Sequence, residues 1–423
     1  MIIIFELKYF TMRTITNSLI IAVLIFTVGC TPFITDKEIK TGLEKDIAFL
    51  ADDKLEGRAI GTEGEKLAAD YIAKTFEGFG LSPKGNDGYF QLFNVNKPAS
   101  PHEQAVIGED GTGITGRNVV GFIDNNAGST VIIGAHFDHL GYGSEGSLYR
   151  GEPAIHNGAD DNASGTAAIM QLARIMKAKG KDKNYLFIAF SGEENGLWGS
   201  NYFSKNATVE LGKVDYMINL DMVGRMNEEK TVAISGVGTS PVWNEKIALA
   251  NTDTLKLVTS ESGVGPSDHT SFYLQDIPVL HFFTGQHEDY HKPSDDSDKI
   301  NYTGIVKVVR LIERVMLSLD PEEKIAFTKT QDSSGDNPRF TVSLGVVPDY
   351  LYDGQGMRID GISENKPAEK AGMQKGDIVM KLGDSTIVDM MGYMRALSIF
   401  KAGDKTQLQY KRSEEIISVD IIF

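Results

Sequence analysis

Four short apolar runs, each leading into a residue able to bind a metal, constrain this chain more than any other feature. Val131-Ile-Ile-Gly-Ala135 runs into His136-Phe-Asp138-His139, and Tyr185-Leu-Phe-Ile-Ala-Phe190 into Ser191-Gly-Glu193-Glu194. Tyr216-Met-Ile-Asn-Leu220 runs into Asp221, and Pro278-Val-Leu-His-Phe-Phe283 is followed by Gly285-Gln-His287-Glu-Asp-Tyr-His291. Runs that are apolar throughout, rather than alternating, suit strands buried on both faces. Helical patterns lie between them from Thr166 onward and near Pro241 to Ala250, and another follows the last from Tyr302 to Leu319. The alternation predicts an α/β fold with a central mixed, mostly parallel sheet flanked by helices. In such sheets ligands bind beyond the carboxyl ends of the strands. The His and carboxylate residues at four strand ends should therefore converge on one edge.

Gly158-Ala-Asp-Asp-Asn-Ala-Ser-Gly165 adds two adjacent carboxylates, Asp160 and Asp161, just before a helical run. One Asp would suffice to cap that helix. Two in tandem among small residues suggest one held for a cation. Taken singly, a His is usually a surface or core residue, a Glu-Glu pair a solvated face, and Asp221 a turn cap. Those readings would all have to hold together at the strand ends, and a shared site explains them better. Mixed His and carboxylate donors suit zinc, and carboxylates can bridge two ions of a hydrolytic site.

The formal charge of −16 argues against a nucleic-acid partner, which would call for a basic face. A single cysteine, Cys30, excludes an intrachain disulfide or a cysteine metal cluster. Leu19 to Cys30 is a short apolar run preceded by Lys8 and Arg13, too short to span a bilayer comfortably but suited to a signal-peptide core. Its Val28-Gly29-Cys30 ending resembles a bacterial lipoprotein signal, in which the cysteine is lipidated. The resemblance implies a cell-envelope protein, lipid-anchored and periplasm-facing or on the outer membrane, or else secreted. Membrane contact is then expected only through that N-terminal anchor. Ile39 to Phe79 reads as helical with a break at Asp52 to Arg58, and Leu67, Tyr71 and Ile72 should share its buried face. Tyr89 to Val95 alternates as a strand does.

His136-x-Asp138, Gly158-Ala-Asp-Asp-Asn-Ala-Ser-Gly165, Ser191-Gly-Glu193-Glu194, Asn219-Leu-Asp221-Met and Tyr290-His291-Lys-Pro-Ser-Asp together resemble the co-catalytic di-zinc aminopeptidase family. Carboxypeptidase Q and the transferrin-receptor ectodomain belong to the same superfamily. The resemblance runs from about Asp46 to Leu319, and Arg117-Asn-Val-Val-Gly121 and Ser267-Asp-His269 match as well. It implies two zinc ions (Zn2+), one held by His136, Asp161 and Asp221, the other by Asp161, Glu194 and His291. Asp161 would bridge them, Glu193 would be the general base, and Asp138 would take the second nitrogen of His136. The implied activity is hydrolysis of the N-terminal bond of peptide substrates. Asp268-His269 reads equally as support for the site or as a helix cap. His139 and His156 lie close in sequence to the implied ligands, where they could touch substrate, but read better as solvated loop residues; His102, His281 and His287 read as ordinary surface or core histidines. Arg58, in Leu55-Glu-Gly-Arg-Ala59, resembles a recurrent early motif of these enzymes without an assignable role. A glutaminyl-cyclase-like acyltransferase with one zinc, or a non-enzymatic peptide-binding receptor, are the alternative readings. The complete donor set disfavours both.

Thr341-Val-Ser-Leu-Gly-Val-Val347 resembles the carboxylate-binding loop of PDZ domains, and Gly361 to Val379 is similar to the pattern of PDZ domains in secreted bacterial proteases. A C-terminal peptide ligand at that groove is the implied partner; a domain that merely braces the peptidase is the other reading. The expected organisation is a signal peptide with a lipoprotein-type cysteine over residues 1–30, a di-zinc peptidase domain over 31–320, a linker over 321–338, and a small β-rich PDZ domain over 339–423.

Overall fold

The structure is a computed structural model. It describes residues 34–96, 106–108, 113–143, 146–321, 323–330, 342–349, 352, 354–362, 366–388 and 390–423. The signal-type run, Cys30, His102 and residues 331–338 of the expected linker lie outside the described residues.

The apolar runs form the centre of a ten-stranded sheet. Its main strands are β1 (Phe90–Asn96), β2 (Val106–Gly108), β3 (Ile114–Ile123), β4 (Thr130–His136), β5 (Asn184–Phe190), β6 (Val214–Leu220), β7 (Thr231–Ser235), β8 (Lys256–Ser260) and β9 (Val279–Phe283). They lie side by side in the order β2-β1-β3-β5-β4-β6-β9-β7-β8. The four central strands β5, β4, β6 and β9 are parallel. Antiparallel pairings join them to β3 on one side and β7 on the other. Parallel pairing is thus concentrated where both faces are covered, as continuous apolar strands require. Every residue of β4, β6 and β9 is buried.

Register levels the strand ends. His136 pairs with Phe190, Gly134 with Asn219, and Asn219 with His281. His136 and Asp221 therefore both lie two residues past one cross-strand pair, and Glu193 lies three past Phe190.

Nine helices can be placed among the described residues: α1 (Asp36–Leu50), α2 (Glu63–Gly78), α3 (Gly165–Lys179), α4 (Trp198–Lys205), α5 (Trp243–Ala250), α6 (His269–Tyr273), α7 (Tyr302–Leu319), α8 (Pro367–Lys370) and α9 (Met390–Ser398). Phe203 of α4 and Phe272 of α6 pack with Ile132, Leu186 and Met217 on one face of the sheet. Phe76 of α2 meets Phe187, a strand residue of the opposite parity. On α2 the expected stripe is shifted. Leu67 is 41% exposed and Tyr71 half-buried, whereas Ile72 is buried as expected, together with Ala68, Ala69, Ala73 and Phe76. Small side chains win there because the helix lies close to the sheet. A Cβ on Gly121 of β3 would fall 2.8 Å from the Phe76 ring. Strand β8 and helix α4 had no clear sequence signal. Strand β8 is largely exposed and lacks alternation.

The second sheet is antiparallel and belongs to the C-terminal domain. It contains β10 (Val346–Pro348), β11 (Met357–Ile362), β12 (Ile378–Leu382), β13 (Lys405–Arg412) and β14 (Glu415–Ile422). Leu344, Ile359, Val379, Leu382, Leu397, Leu408 and Tyr410 form its own core. Strand β10 is the terminal strand of its sheet, and the turn before it passes through Gly345 at φ +79°. No helix among the described residues is long and apolar enough to cross a membrane.

Candidate metal centre

The end of β4 delivers His136, almost fully buried. Its Nε2 lies 3.3 Å from Asp161 Oδ1 and 3.4 Å from Asp221 Oδ1. From beyond β9, His291 Nε2 lies 3.1 Å from Asp161 Oδ2 and 3.3 Å from Glu194 Oε2. Asp161 thus turns one oxygen toward each imidazole. Tetrahedral zinc with bonds of about 2.0–2.1 Å places its ligand atoms roughly 3.3–3.4 Å apart. The four imidazole–carboxylate separations, 3.1–3.4 Å, lie close to that spacing, and both sets mix imidazole with carboxylate as zinc prefers.

Two more residues come near enough to be considered as ligands. His136, Glu193 and Asp221 place donor atoms within 4.8 Å of one another, and so do His139, Asp161 and Glu194. Glu193 Oε2 stands 3.9 Å from His136 Nε2, wider than a tetrahedral edge. His139 Nδ1 stands 2.7 Å from Glu194 Oε1, a hydrogen bond rather than two ligands of one ion. The geometry favours Asp161 over Glu193 in the first set and His291 over His139 in the second.

The ring orientations are fixed from behind. His291 Nδ1 donates to the Gly146 carbonyl at 2.9 Å, which leaves Nε2 to face the carboxylates. His136 Nδ1 lies 3.3 Å from the Asp138 carbonyl and 3.7 Å from its carboxylate. The backbone oxygen is therefore the nearer partner. The Asp138 carboxylate also accepts the Glu193 N–H at 3.1 Å, so it ties β4 to the Glu193 turn.

Charge follows from this crowding. Burial opposes an imidazolium at His136, but Glu193 and Asp221, with Asp138 and Asp161, outweigh it and raise the pKa well above the usual range. Burial likewise opposes charge at His291, and Glu194 and Asp161 likewise raise its pKa. The adjacent glutamates part company. Burial pushes Glu193 well above the carboxylate range; His136 offsets this, while Asp221, Glu194 and Asp268 reinforce it. Burial and Asp161 push Glu194 upward too, but His291 and His139 outweigh them and leave it at about 2.

The structure revises the lesser candidates. His139 and His156 are buried, not solvated. His139 holds Glu194, and His156 bonds Ser147 Oγ at 2.7 Å and the Ala154 carbonyl at 2.8 Å. His287 Nε2 approaches Asp160 Oδ2 to 3.2 Å, and His281 stacks on His269 at 4.5 Å. Asp160 Oδ1 accepts from Gly224 N at 2.6 Å and Ser164 Oγ at 2.9 Å, so it ties the loop together and Asp161 alone faces the cluster. Asp268 makes no side-chain cap on α6. Its carboxyl is buried and pushed up to about 7, with His136 opposing the shift.

Two supporting residues had no role assigned from sequence. Asp295, the last residue of the Tyr290-His291-Lys-Pro-Ser-Asp motif, accepts the backbone N–H groups of Asp160 at 2.9 Å and Asp161 at 3.1 Å. Arg58 is fully buried. It donates to the carbonyls of Phe137 (2.7 Å), Asn157 (2.6 Å), Gly158 (3.1 Å) and Leu50. Burial lowers its pKa only to about 10, so it remains charged. It clamps the loop after β4 to the loop carrying Asp161. Arg58→Ala leaves those carbonyls without their donor and is expected to cost roughly 3 kcal/mol or more. Denaturant unfolding of the metal-free protein measures it, and a loss under about 1 kcal/mol contradicts the clamp.

The cluster opens into a cavity of about 330 Å³, lined also by Val258, His281 and Phe283 and, from the second domain, by Asp349, Tyr352 and Arg358.

Residues 118–316 match the profile of Peptidase family M28, and residues 325–422 that of a PDZ domain. Aminopeptidase YwaD of Bacillus subtilis is 30% identical over 177 residues, which are 40% of this chain and 39% of that protein. The uncharacterized protein YfbL of Escherichia coli is 26% identical over 299 residues, 63% of this chain and 84% of the relative. Among solved structures, BSAP, a zinc aminopeptidase from Bacillus subtilis, superposes with a TM-score of 0.52 at 19% identity, over 68% of this chain and 95% of that one. A glutaminyl cyclase from Bacteroides thetaiotaomicron does so with a TM-score of 0.51 at 18% identity, over 69% and 99%. The two structures establish the shared fold.

Proposed function

From a chain that carries a Peptidase family M28 domain and, after it, a PDZ domain, we propose an extracytoplasmic zinc-dependent aminopeptidase that hydrolyses the N-terminal bond of peptides. The observation that carries this reading is Asp161, with one oxygen 3.3 Å from His136 and the other 3.1 Å from His291. His136, Asp161 and Asp221 would hold one zinc, and Asp161, Glu194 and His291 the other. When bound, the ions would supply a water acidic enough to ionise near neutral pH and a Lewis acid for the scissile carbonyl.

The chain's own residues supply the remaining chemistry. Glu193, left outside both donor sets, takes the water's proton on its carboxylate and returns it to the leaving amine. Its backbone N–H, donated to Asp138, holds it beside His136. His139 and the Gly146 carbonyl fix Glu194 and His291 so that little reorganisation accompanies reaction. The cavity beyond, walled by Val258 and Phe283, receives the first side chain and excludes water around it. The PDZ domain would bind peptide tails. The N-terminal run to Cys30 supports placement in the cell envelope through a lipid anchor, or secretion.

The cyclase reading shares this fold, and bound metal separates the two. We expect two tightly bound zinc equivalents per purified chain, with hydrolysis of aminoacyl p-nitroanilides lost to chelator and restored by zinc. One equivalent together with cyclisation of N-terminal glutamine would favour the acyltransferase. Protein that binds no zinc and turns over neither substrate would instead be a binding protein.

A further inference from the structure

The wall of the metal cavity is built partly by the PDZ domain. Pro348, Asp349, Tyr352, Met357 and Arg358, from the ends of β10 and β11 and the connection between them, line the same space as His136, Asp161 and His291. These residues are tied to one another. Asp349 Oδ2 accepts from Arg358 Nε at 2.7 Å, the Asp349 N–H donates to the Arg358 carbonyl at 2.8 Å, and the guanidinium lies 4.7 Å from the centre of the Tyr352 ring.

Strand β10 gives the space a direction. It begins at the turn through Leu344 and Gly345 and ends at Pro348, inside the cavity wall. It is also the terminal strand of its sheet among the described residues, the kind of edge to which an extended peptide adds. A peptide carboxylate resting on the N–H groups of that turn fixes the polarity. The chain paired along β10 must then run from its C-terminus at Gly345 toward its N-terminus near Pro348, which is toward the metal cluster.

We propose that one short peptide occupies both domains at once. Its carboxylate sits on the Leu344-Gly345-Val346 turn, its middle pairs along β10, and its N-terminal residue lies beside Asp161 and Glu194. The proposal rests on the peptidase reading above and adds the substrate class, free oligopeptides held at both ends. The three residues of β10 span about 10 Å at roughly 3.3 Å per residue. A cavity of about 330 Å³ is some 7 Å across and takes roughly two residues more. With the carboxylate residue included, the fitting length is about five to seven. Once the first residue is removed, the shortened product no longer reaches both ends, and trimming slows sharply.

Two measurements on the full chain test this. The first needs no turnover: fluorescence anisotropy on metal-free protein, using a hexapeptide labelled on a central lysine side chain, as free acid and as C-terminal amide. The acid should bind at least about tenfold tighter, and equal binding overturns the proposal. The second uses zinc-loaded protein and alanine-rich peptides of increasing length, with leucyl p-nitroanilide as a substrate too short to reach the turn. The kcat/KM should peak near six residues, amidation at that length should lower it at least about tenfold, mostly through KM, and single-residue trimming should dominate the products. A flat length profile with normal anilide turnover overturns the two-ended grip and leaves the peptidase standing. No turnover of the anilide overturns the peptidase reading itself, and this one with it.

Discussion

The Glu193→Gln variant should keep both zinc equivalents and lose about 10²- to 10⁴-fold in kcat, the range a positioned general base supplies. Glutamine matches the shape of glutamate but cannot carry a proton from water to the leaving amine. Its backbone N–H still reaches the Asp138 carboxylate, so the turn after β5 should not move. KM should change little, because the side chain acts on the reacting water rather than on the bound peptide. Zinc content is the essential control. Glu193 also lies within ligand reach of His136 and Asp221. If it were a ligand, the variant would lose one equivalent along with activity, and the 3.9 Å separation from His136 would have misled. Near wild-type turnover with both ions present would remove Glu193 from the proton-transfer role.

The residues that could be read from the sequence are those whose role depends on their own chemistry and on a strand end. His136, Glu194 and Asp221 follow continuous apolar runs, and sheet geometry alone brings such ends together. The residues that escaped work on backbone atoms of distant segments. Arg58 donates to carbonyls 79, 99 and 100 positions away, and no spacing rule names such partners. Asp295 accepts N–H groups more than 130 residues earlier. His139 looked like a solvated loop histidine because burial of a loop depends on what covers it. Leu67 shows the converse error. Apolar size suggests an inward direction, yet the inner face of α2, which approaches β3, is made by Ala68, Ala69, Ile72, Ala73 and Phe76. The part of the cavity wall contributed by Tyr352 and Arg358 lies beyond any local pattern, since it depends on how a second domain packs.

The neighbours Asp160 and Asp161 should fail in opposite ways when each is replaced by alanine. Asp161→Ala removes an oxygen from both imidazoles at once. Both zinc affinities should drop by more than the 10- to 100-fold that losing a residue outside the ligand set typically costs. Activity should fall by about 10⁴-fold or more, because a water no longer acidified by metal has a pKa near 15.7 rather than near 7. Asp221→Ala and His291→Ala each touch one donor set, so each should release one equivalent and spare the other. Asp160→Ala should instead leave zinc largely in place and cost roughly 1–3 kcal/mol of stability, since it strands the Gly224 N–H and removes the carboxylate beside His287, while the Ser164 hydroxyl keeps the Asp160 carbonyl. Equilibrium dialysis for zinc, paired with denaturant unfolding, separates these outcomes. Loss of a single equivalent from Asp161→Ala would show that the ions do not share that carboxylate. Loss of both from Asp160→Ala without destabilisation would reverse the roles assigned to the two residues.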